Sequence, residues 1–291
     1  MDANPDMGPA RIRWVDVFAT GPLTGNPLAV VLVDAHPHAD EMQALAAELG
    51  LSETVFAARG DRVSLRIFTP TTEIPMAGHP LVGTAWVLRD EGWTGDHAVL
   101  VAPGGEVAAM ADDDGAFMAP PAPRLVGTVD GDEVADALGC TPGQAVGGMA
   151  PVWDAGLPQV MLQTISPAAI HDRPDRDARL AALGARDGWA GVSAYSIESP
   201  APGVVRAEVR HFAAPIGIPE DPVTGSAAGA LGAALVAAGH AHDGDLDLSV
   251  RQGHGMGRAG EVRVHAVADG EVPTRLRVGG RVIPVMRGTL Q

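Results

Sequence analysis

Short stretches in which apolar residues alternate with polar ones, or β-branched residues run together, recur at 11–18, 28–33, 54–58, 63–68, 98–102 and 106–110 and predict strands. Between them, 39–49 and 79–90 have the spacing and length of helices. The rhythm then returns, with strands at 160–163, 191–196 and 204–212, a helix from 226 to 238, and strands at 246–251, 261–267 and 275–285. Strand follows strand with few crossover helices, which predicts an α+β fold of mostly antiparallel sheet rather than a doubly wound one. Two of the helices are unlike surface helices. Pro80-Leu-Val-Gly-Thr-Ala-Trp-Val-Leu88 and Ala227-Ala-Gly-Ala-Leu-Gly-Ala-Ala-Leu-Val-Ala-Ala238 are apolar or small on every face, the mark of a helix buried all round.

The recurrence extends to residue identity. Arg-Ile-Phe-Thr-Pro-Thr-Thr-Glu-Ile-Pro at 66–75 returns as Arg-His-Phe-Ala-Ala-Pro-Ile-Gly-Ile-Pro at 210–219, and each copy leads into one of the two apolar helices. Arg66/Arg210, Phe68/Phe212, Ile74/Ile218 and Pro75/Pro219 coincide at one offset. Placing a three-residue insertion after them aligns Gly78-His79 with Gly225-Ser226. Two copies imply pseudo-symmetric halves, each a sheet wrapped around its own helix, with a site expected in the cleft between them. The Pro-rich stretch 119–124 is the best linker, and 132–138 followed by Gly139 reads as a short helix with a glycine C-cap. The halves are therefore expected to be 1–125 and 126–291, with the last residues free to pack back on the first half.

At 291 residues, 46% hydrophobic and 19% charged, the composition is that of an ordinary globular protein with a sizeable core. The net charge of −16, with 36 acids against 20 Lys and Arg, argues against nucleic acid or an anionic membrane as partner. Residues 1–13 hold no apolar leader stretch, and the longest apolar run, at 28–33, is too short to span a bilayer, so a cytoplasmic location is expected. Cys140 is the sole cysteine, which excludes an internal disulfide and any chemistry needing two thiols.

Three segments carry candidate chemistry. In Glu220-Asp-Pro-Val-Thr-Gly-Ser-Ala-Ala228, Asp221, Thr224 and Ser226 precede a buried helix, whose first amides at Gly225 and Ser226 could grip an anionic oxygen. The same residue types equally suit plain helix capping. In Met76-Ala-Gly-His-Pro80, His79 stands at a helix start, where the dipole favours the neutral imidazole suited to proton transfer or hydrogen bonding. Glu53, among Leu51, Val55 and Phe56, either points to solvent or is desolvated as a general acid or base requires. Gly255-Met-Gly-Arg-Ala-Gly260 matches the dinucleotide pattern, but the alternating residues after it predict a strand where that motif needs a helix. His36-Pro-His38 and His240-Ala-His242 lack a visible third ligand, so no metal site is expected.

Taken together, Asn26-Pro27-Leu28-Ala29-Val30, Leu51-Ser52-Glu53-Thr54, Ala77-Gly78-His79-Pro80 and Glu220-Asp221-Pro222-Val223-Thr224-Gly225-Ser226-Ala227 resemble the PhzF-like phenazine-biosynthesis isomerase family over nearly the whole chain. Gln252-Gly253 and Met256-Gly257-Arg258 resemble that family's C-terminal glycine loop. The resemblance implies the diaminopimelate epimerase fold. In that superfamily's epimerases paired cysteines open the two helices; here Gly78-His79 and Gly225-Ser226 take those places, which excludes two-thiol epimerisation. It further implies a cofactor-independent isomerase of a dihydro-hydroxyanthranilate-like carboxylate. Glu53 would move the proton, His79 and Asp221 would assist, and Gly78, Gly225 and Ser226 would hold the small anionic substrate. A homodimer is likewise implied. Where the family often has a histidine after Ser-Ala, this chain has Ala228, a change expected to shape the pocket. Two other readings stay open: a non-catalytic anion-binding protein on the same scaffold, and a nucleotide-dependent oxidoreductase using 255–260.

Overall fold

The structure, a computed structural model, describes residues 10–290, so most of the segment 1–13, expected to hold no leader, lies outside the described residues. Two compact units emerge: the residues up to Ala119 together with those from Gly279 onward, and Pro120–Val278.

The first unit contains β1 (Arg11–Val17), β2 (Asn26–Val33), α1 (Ala39–Leu49), β3 (Thr54–Ala58), β4 (Ser64–Phe68), β5 (Glu73–Ile74), α2 (Gly78–Asp90), β6 (His97–Ala102), β7 (Gly105–Ala111) and β8 (Gly115–Met118). The second contains β9 (Arg124–Asp130), α3 (Gly131–Leu138), β10 (Met149–Asp154), β11 (Pro158–Gln163), α4 (Arg176–Asp187), β12 (Gly191–Ala201), β13 (Val204–Ala213), β14 (Ile218–Asp221), α5 (Gly225–Ala237), β15 (Asp245–Gln252) and β16 (Gly260–Asp269). The long β17 (Val272–Thr289) gives its residues through 278 to the second unit and the remainder to the first.

Within the first unit the strands close a ring in the order β1-β2-β3-β4-β6-β7-β8-β17 and back to β1. Only β2–β3 and β4–β6 are parallel, and each of those steps contains a helix, α1 and α2, because a parallel return needs a long crossover. The second unit repeats the scheme. Its parallel pairs are β11–β12 and β13–β15, spanned by α4 and α5, and its other pairings are antiparallel.

In each unit the strands pack around the apolar helix. Residues 79–88 of α2 and 227–236 of α5 are all buried, as helices without a polar face must be. α2 packs on β1, β2, β3, β6, β7 and β8, and α5 on β10, β11, β15 and β16. Leu231, Leu235 and Val236 of α5 each contribute about 2 kcal/mol by leaving water. On the outer face of the first unit, Met42 and Ala46 of α1 cover Ala29, Val31 and Val33 of β2. With both faces covered, β2 reads as a continuous apolar run and not as an alternating one.

The repeated Arg-x-Phe has a physical cause. In the first unit the Arg66 guanidinium pairs with Glu73 (Nε–Oε1 2.7 Å) and lies over the Phe68 ring at 5.2 Å. In the second, Arg210 makes a two-point pair with Glu220 at 2.9 and 2.8 Å and lies over Phe212 at 5.0 Å. Glu73 therefore corresponds to Glu220. Ile67 pairs with Ile74 just as His211 pairs with Asp221, so Asp221 stands where the first unit has Ile74. This relocates the three-residue insertion. It lies before Glu220, in the tight turn at Ala214–Ile216, and the coincidence of Ile74-Pro75 with Ile218-Pro219 is not a structural correspondence.

His211 occupies an unusual position for a titratable group. Its imidazole is fully buried, Nδ1 lies 3.0 Å from Ser193 Oγ, and burial lowers its pKa to about 4. An unfolded histidine takes its proton near pH 6.5, whereas this one resists until about pH 4. Stability is therefore whole above pH 6.5 and falls as pH drops towards 4, by about 3 kcal/mol in all. Urea unfolding at pH 7 and pH 5 should show this slope, and His211→Asn should flatten it; an equal slope in the variant would rule the assignment out.

Candidate active site

Glu53 and His79 meet within the first unit. Gly50, in the left-handed region at φ 64°, ends α1, and Leu51-Ser52-Glu53 then leads directly into β3, so the glutamate is held at a strand entrance. α2 begins at Gly78, with extended Ala77 at its cap position and no side chain capping its first amides. His79 thus enters a buried helix on its first turn. Its Nε2 lies 3.3 Å from Glu53 Oε2, and the two side chains are 8% and 13% exposed.

Glu53 Oε2 is inaccessible to water and has no aligned hydrogen-bond donor. Burial pushes the Glu53 carboxyl up from its usual range, and a hydrogen bond from Ser52 offsets part of that rise. Ser52 Oγ also lies 3.3 Å from Oδ1 of Asn26, a buried side chain at the start of β2. The acid of Leu-Ser-Glu-Thr accordingly sits out of solvent with an imidazole at proton-transfer distance.

In the second unit Asp221 closes β14, and Thr224 holds the cap position of α5, which Gly225 and Ser226 open. The capping reading of this segment does not hold for Thr224. Its hydroxyl donates to Asp221 Oδ2, and no side chain caps α5. Gln252 holds the turn from beneath, donating from Nε2 to Asp221 O at 2.7 Å and to Thr224 Oγ1 at 3.1 Å. In the sequence Gln252 stands out only as part of a glycine loop. A polar residue closing an apolar-alternating strand just before Gly253 was the available signal.

The two units match in scaffold and differ in chemistry. Strand register pairs Thr54 with Phe68 and Val192 with Phe212, so the second unit's counterpart of Glu53 is Gly191. At that position a Cβ would come within 2.6 Å of Gln159 Oε1 and 2.8 Å of His211 Cε1, so any larger residue there would require those two buried side chains to shift. His79 likewise corresponds to Ser226, and Ile74 to Asp221. The structure brings Glu53, Gly78 and His79 together in the first unit and Asp221, Gly225 and Ser226 together in the second.

Other sequence candidates fall away from this chemistry. Gly260 opens β16, so the glycine pattern at 255–260 leads into a strand. His36 bonds Ser64 Oγ at 3.0 Å, and His38 begins α1 in a capping box with Glu41. Among the described residues no group of three His, Cys, Asp or Glu could hold a metal, and no helix is long and apolar enough to cross a membrane. Cys140 is partly exposed, and burial raises its thiol pKa.

Residues 15–288 match the model of a family described as phenazine biosynthesis-like protein, PhzC-PhzF. An uncharacterized isomerase of Mesorhizobium japonicum is 34% identical, with 94% of this chain and 96% of that protein covered. The trans-2,3-dihydro-3-hydroxyanthranilate isomerase of Pseudomonas chlororaphis is 31% identical, covering 95% and 97%. The crystal structure of a Bacillus anthracis PhzF-family protein superposes with a TM-score of 0.83 over 98% of this chain and 100% of that one; at 23% identity this likeness concerns the fold.

Proposed function

The chain belongs to the PhzC-PhzF phenazine biosynthesis-like family, and from that premise we propose that it is an isomerase that moves a proton between two carbons of a small carboxylate-bearing substrate, without a cofactor. The buried Glu53, 3.3 Å from His79 and with a raised pKa, carries this reading. An ionised Glu53 takes a proton from an activated carbon of the substrate. The electron pair spreads into the adjoining unsaturated system, and the protonated Glu53 then returns the proton to a different carbon. One C–H bond breaks and another forms, no electrons are gained or lost, and the glutamate is regenerated, so the cycle needs no co-reactant.

His79 keeps Glu53 oriented and exchanges protons with it. Asp221 assists proton placement, and the uncapped first amides at Gly78, Gly225 and Ser226 serve the substrate's carboxylate and developing negative charge. The relative from Pseudomonas chlororaphis suggests the first substrate to try, trans-2,3-dihydro-3-hydroxyanthranilate. Incubation with it in deuterated water should place deuterium on substrate carbon during turnover. Binding without any carbon-proton exchange would instead favour an anion-binding protein on this scaffold.

A pH dependence follows from the Glu53 environment. The base must be ionised, and its pKa lies above the ordinary 4.5, so kcat/KM should rise with pH along an acid limb displaced above that value. Initial rates from pH 4 to 8 test this. A limb at an ordinary glutamate pKa would mean that Glu53 is solvated when it acts.

A further inference from the structure

Gln252, the last residue of β15, is 1% exposed and makes three hydrogen bonds to the turn that opens α5. Nε2 donates to Asp221 O and to Thr224 Oγ1, and Oε1 accepts from Thr224 N at 3.3 Å. These partners determine the orientation of the amide. Turned over, its oxygen would face a carbonyl and its NH2 would face an N–H.

The direction of the next bond follows. An amide nitrogen only donates, so Thr224 Oγ1 is an acceptor towards Gln252. The single hydroxyl proton is then committed to Asp221 Oδ2, the bond observed. Thr224 N, meanwhile, is satisfied by Gln252 Oε1. The local backbone is shaped to allow this approach. Gly253 has φ 85°, and a Cβ there would lie 2.5 Å from Arg258 O and 2.6 Å from Pro222 O.

We infer that Gln252 is a positioning residue of the active site: acting through Thr224, it commits the threonine proton to Asp221 and holds that carboxylate in one arrangement beside the start of α5. The inference rests on the proposed role of Asp221 in proton transfer. It assigns the work of the Gln-Gly pair to hydrogen-bond direction, where a packing role would be served by any side chain of similar volume. The ionised carboxylate brought in by Gln252→Glu would be such a side chain, yet it could only accept. The threonine proton would turn towards it, and Asp221 would lose the bond from Thr224 and gain a like charge nearby.

Three variants test this: Gln252→Glu, Thr224→Val (similar shape, no hydroxyl) and Thr224→Ser (hydroxyl kept). Circular dichroism and thermal melting confirm folding. The first readout needs no substrate: the Asp221 carboxyl is followed by carbon-13 NMR through a pH titration. Its midpoint should move up in Thr224→Val and Gln252→Glu and return in Thr224→Ser. The second is turnover, where kcat should fall roughly ten- to a hundredfold in the first two variants, with KM within about threefold and Thr224→Ser near wild type. In Gln252→Glu the deficit should shrink at lower pH, as the introduced carboxyl gains a proton it can donate. An unmoved Asp221 midpoint in Thr224→Val overturns the inference, as does a Gln252→Glu deficit constant with pH. If the wild type turns nothing over, the functional reading fails while the midpoints still decide the positioning role.

Discussion

Glu53→Gln is expected to lower turnover by a factor on the order of 10³, from the usual size of a general acid–base contribution, and at the same time to raise the thermal midpoint at neutral pH. The two effects share one origin. The carboxyl is buried, its pKa is raised by desolvation, and Oε2 has no aligned donor. A carboxyl whose folded pKa lies above its unfolded value contributes stability in acid that is lost as pH rises through the folded pKa. At pH 7 the ionised group is therefore a burden on the fold, which glutamine removes while keeping the shape. The gain in midpoint should vanish near pH 4, where both forms are neutral. Differential scanning calorimetry at pH 4 and 7, beside solvent-deuterium incorporation into substrate carbon, reads both effects. Undiminished incorporation would remove Glu53 from the mechanism. A variant no more stable at pH 7 than at pH 4, relative to wild type, would mean that His79 and Ser52 fully offset the buried charge.

Legibility in the sequence followed the strength of the physical signal. α2 and α5 could be read, with their burial, because runs of nine and twelve residues without a polar face, at 80–88 and 227–238, admit few other fates. The edges of the second unit were harder. α4 is rich in Arg and Asp and buries only Leu180 and Gly184, so its apolar stripe is too narrow to stand out. β9 follows a Pro-rich stretch and is exposed at every position but Val129, and β10 is interrupted by Pro151; both resemble loop until partner strands are known. The repeat was visible through Arg66 and Arg210, yet its insertion was misplaced because an Ile-Pro recurs by chance where the ion pairs show the true correspondence. At the site, Glu53 and His79 were identifiable by type and motif, but their 3.3 Å approach depends on a strand entrance and a helix start far apart in sequence. Asp221 stayed ambiguous for a different reason. Asp and Thr before a helix suit capping and catalysis alike, and the direction of the Thr224 hydroxyl, towards Asp221, argues only against capping by that threonine.

Gly279→Ala is expected to cost more than about 3 kcal/mol, at the upper end for overpacking a tight core, and Gly279→Val to prevent cooperative folding. At Gly279 a Cβ would lie 2.2 Å from Ala116 O and 2.6 Å from Phe117 Cα, and at Gly115 a Cβ would lie 2.1 Å from Gly280 O. These contacts are with backbone, which cannot rotate aside as a side-chain tip can. They mark where β8 crosses β17, the step that closes the ring of the first unit. Relief requires the strands to part, loosening neighbouring bonds such as Val282 N to Asp114 O at 3.1 Å. The consequence should reach the chemistry, because that ring wraps α2 and α2 presents His79 to Glu53. Gly279→Ala protein that remains folded in the cold should therefore lose activity on warming before the rest of the molecule melts. Thermal melting followed in parallel by rate measurement decides this. Activity that persists to the global midpoint would show that ring closure does not hold His79 in register, and a midpoint unchanged from wild type would show that β8 and β17 can separate without cost.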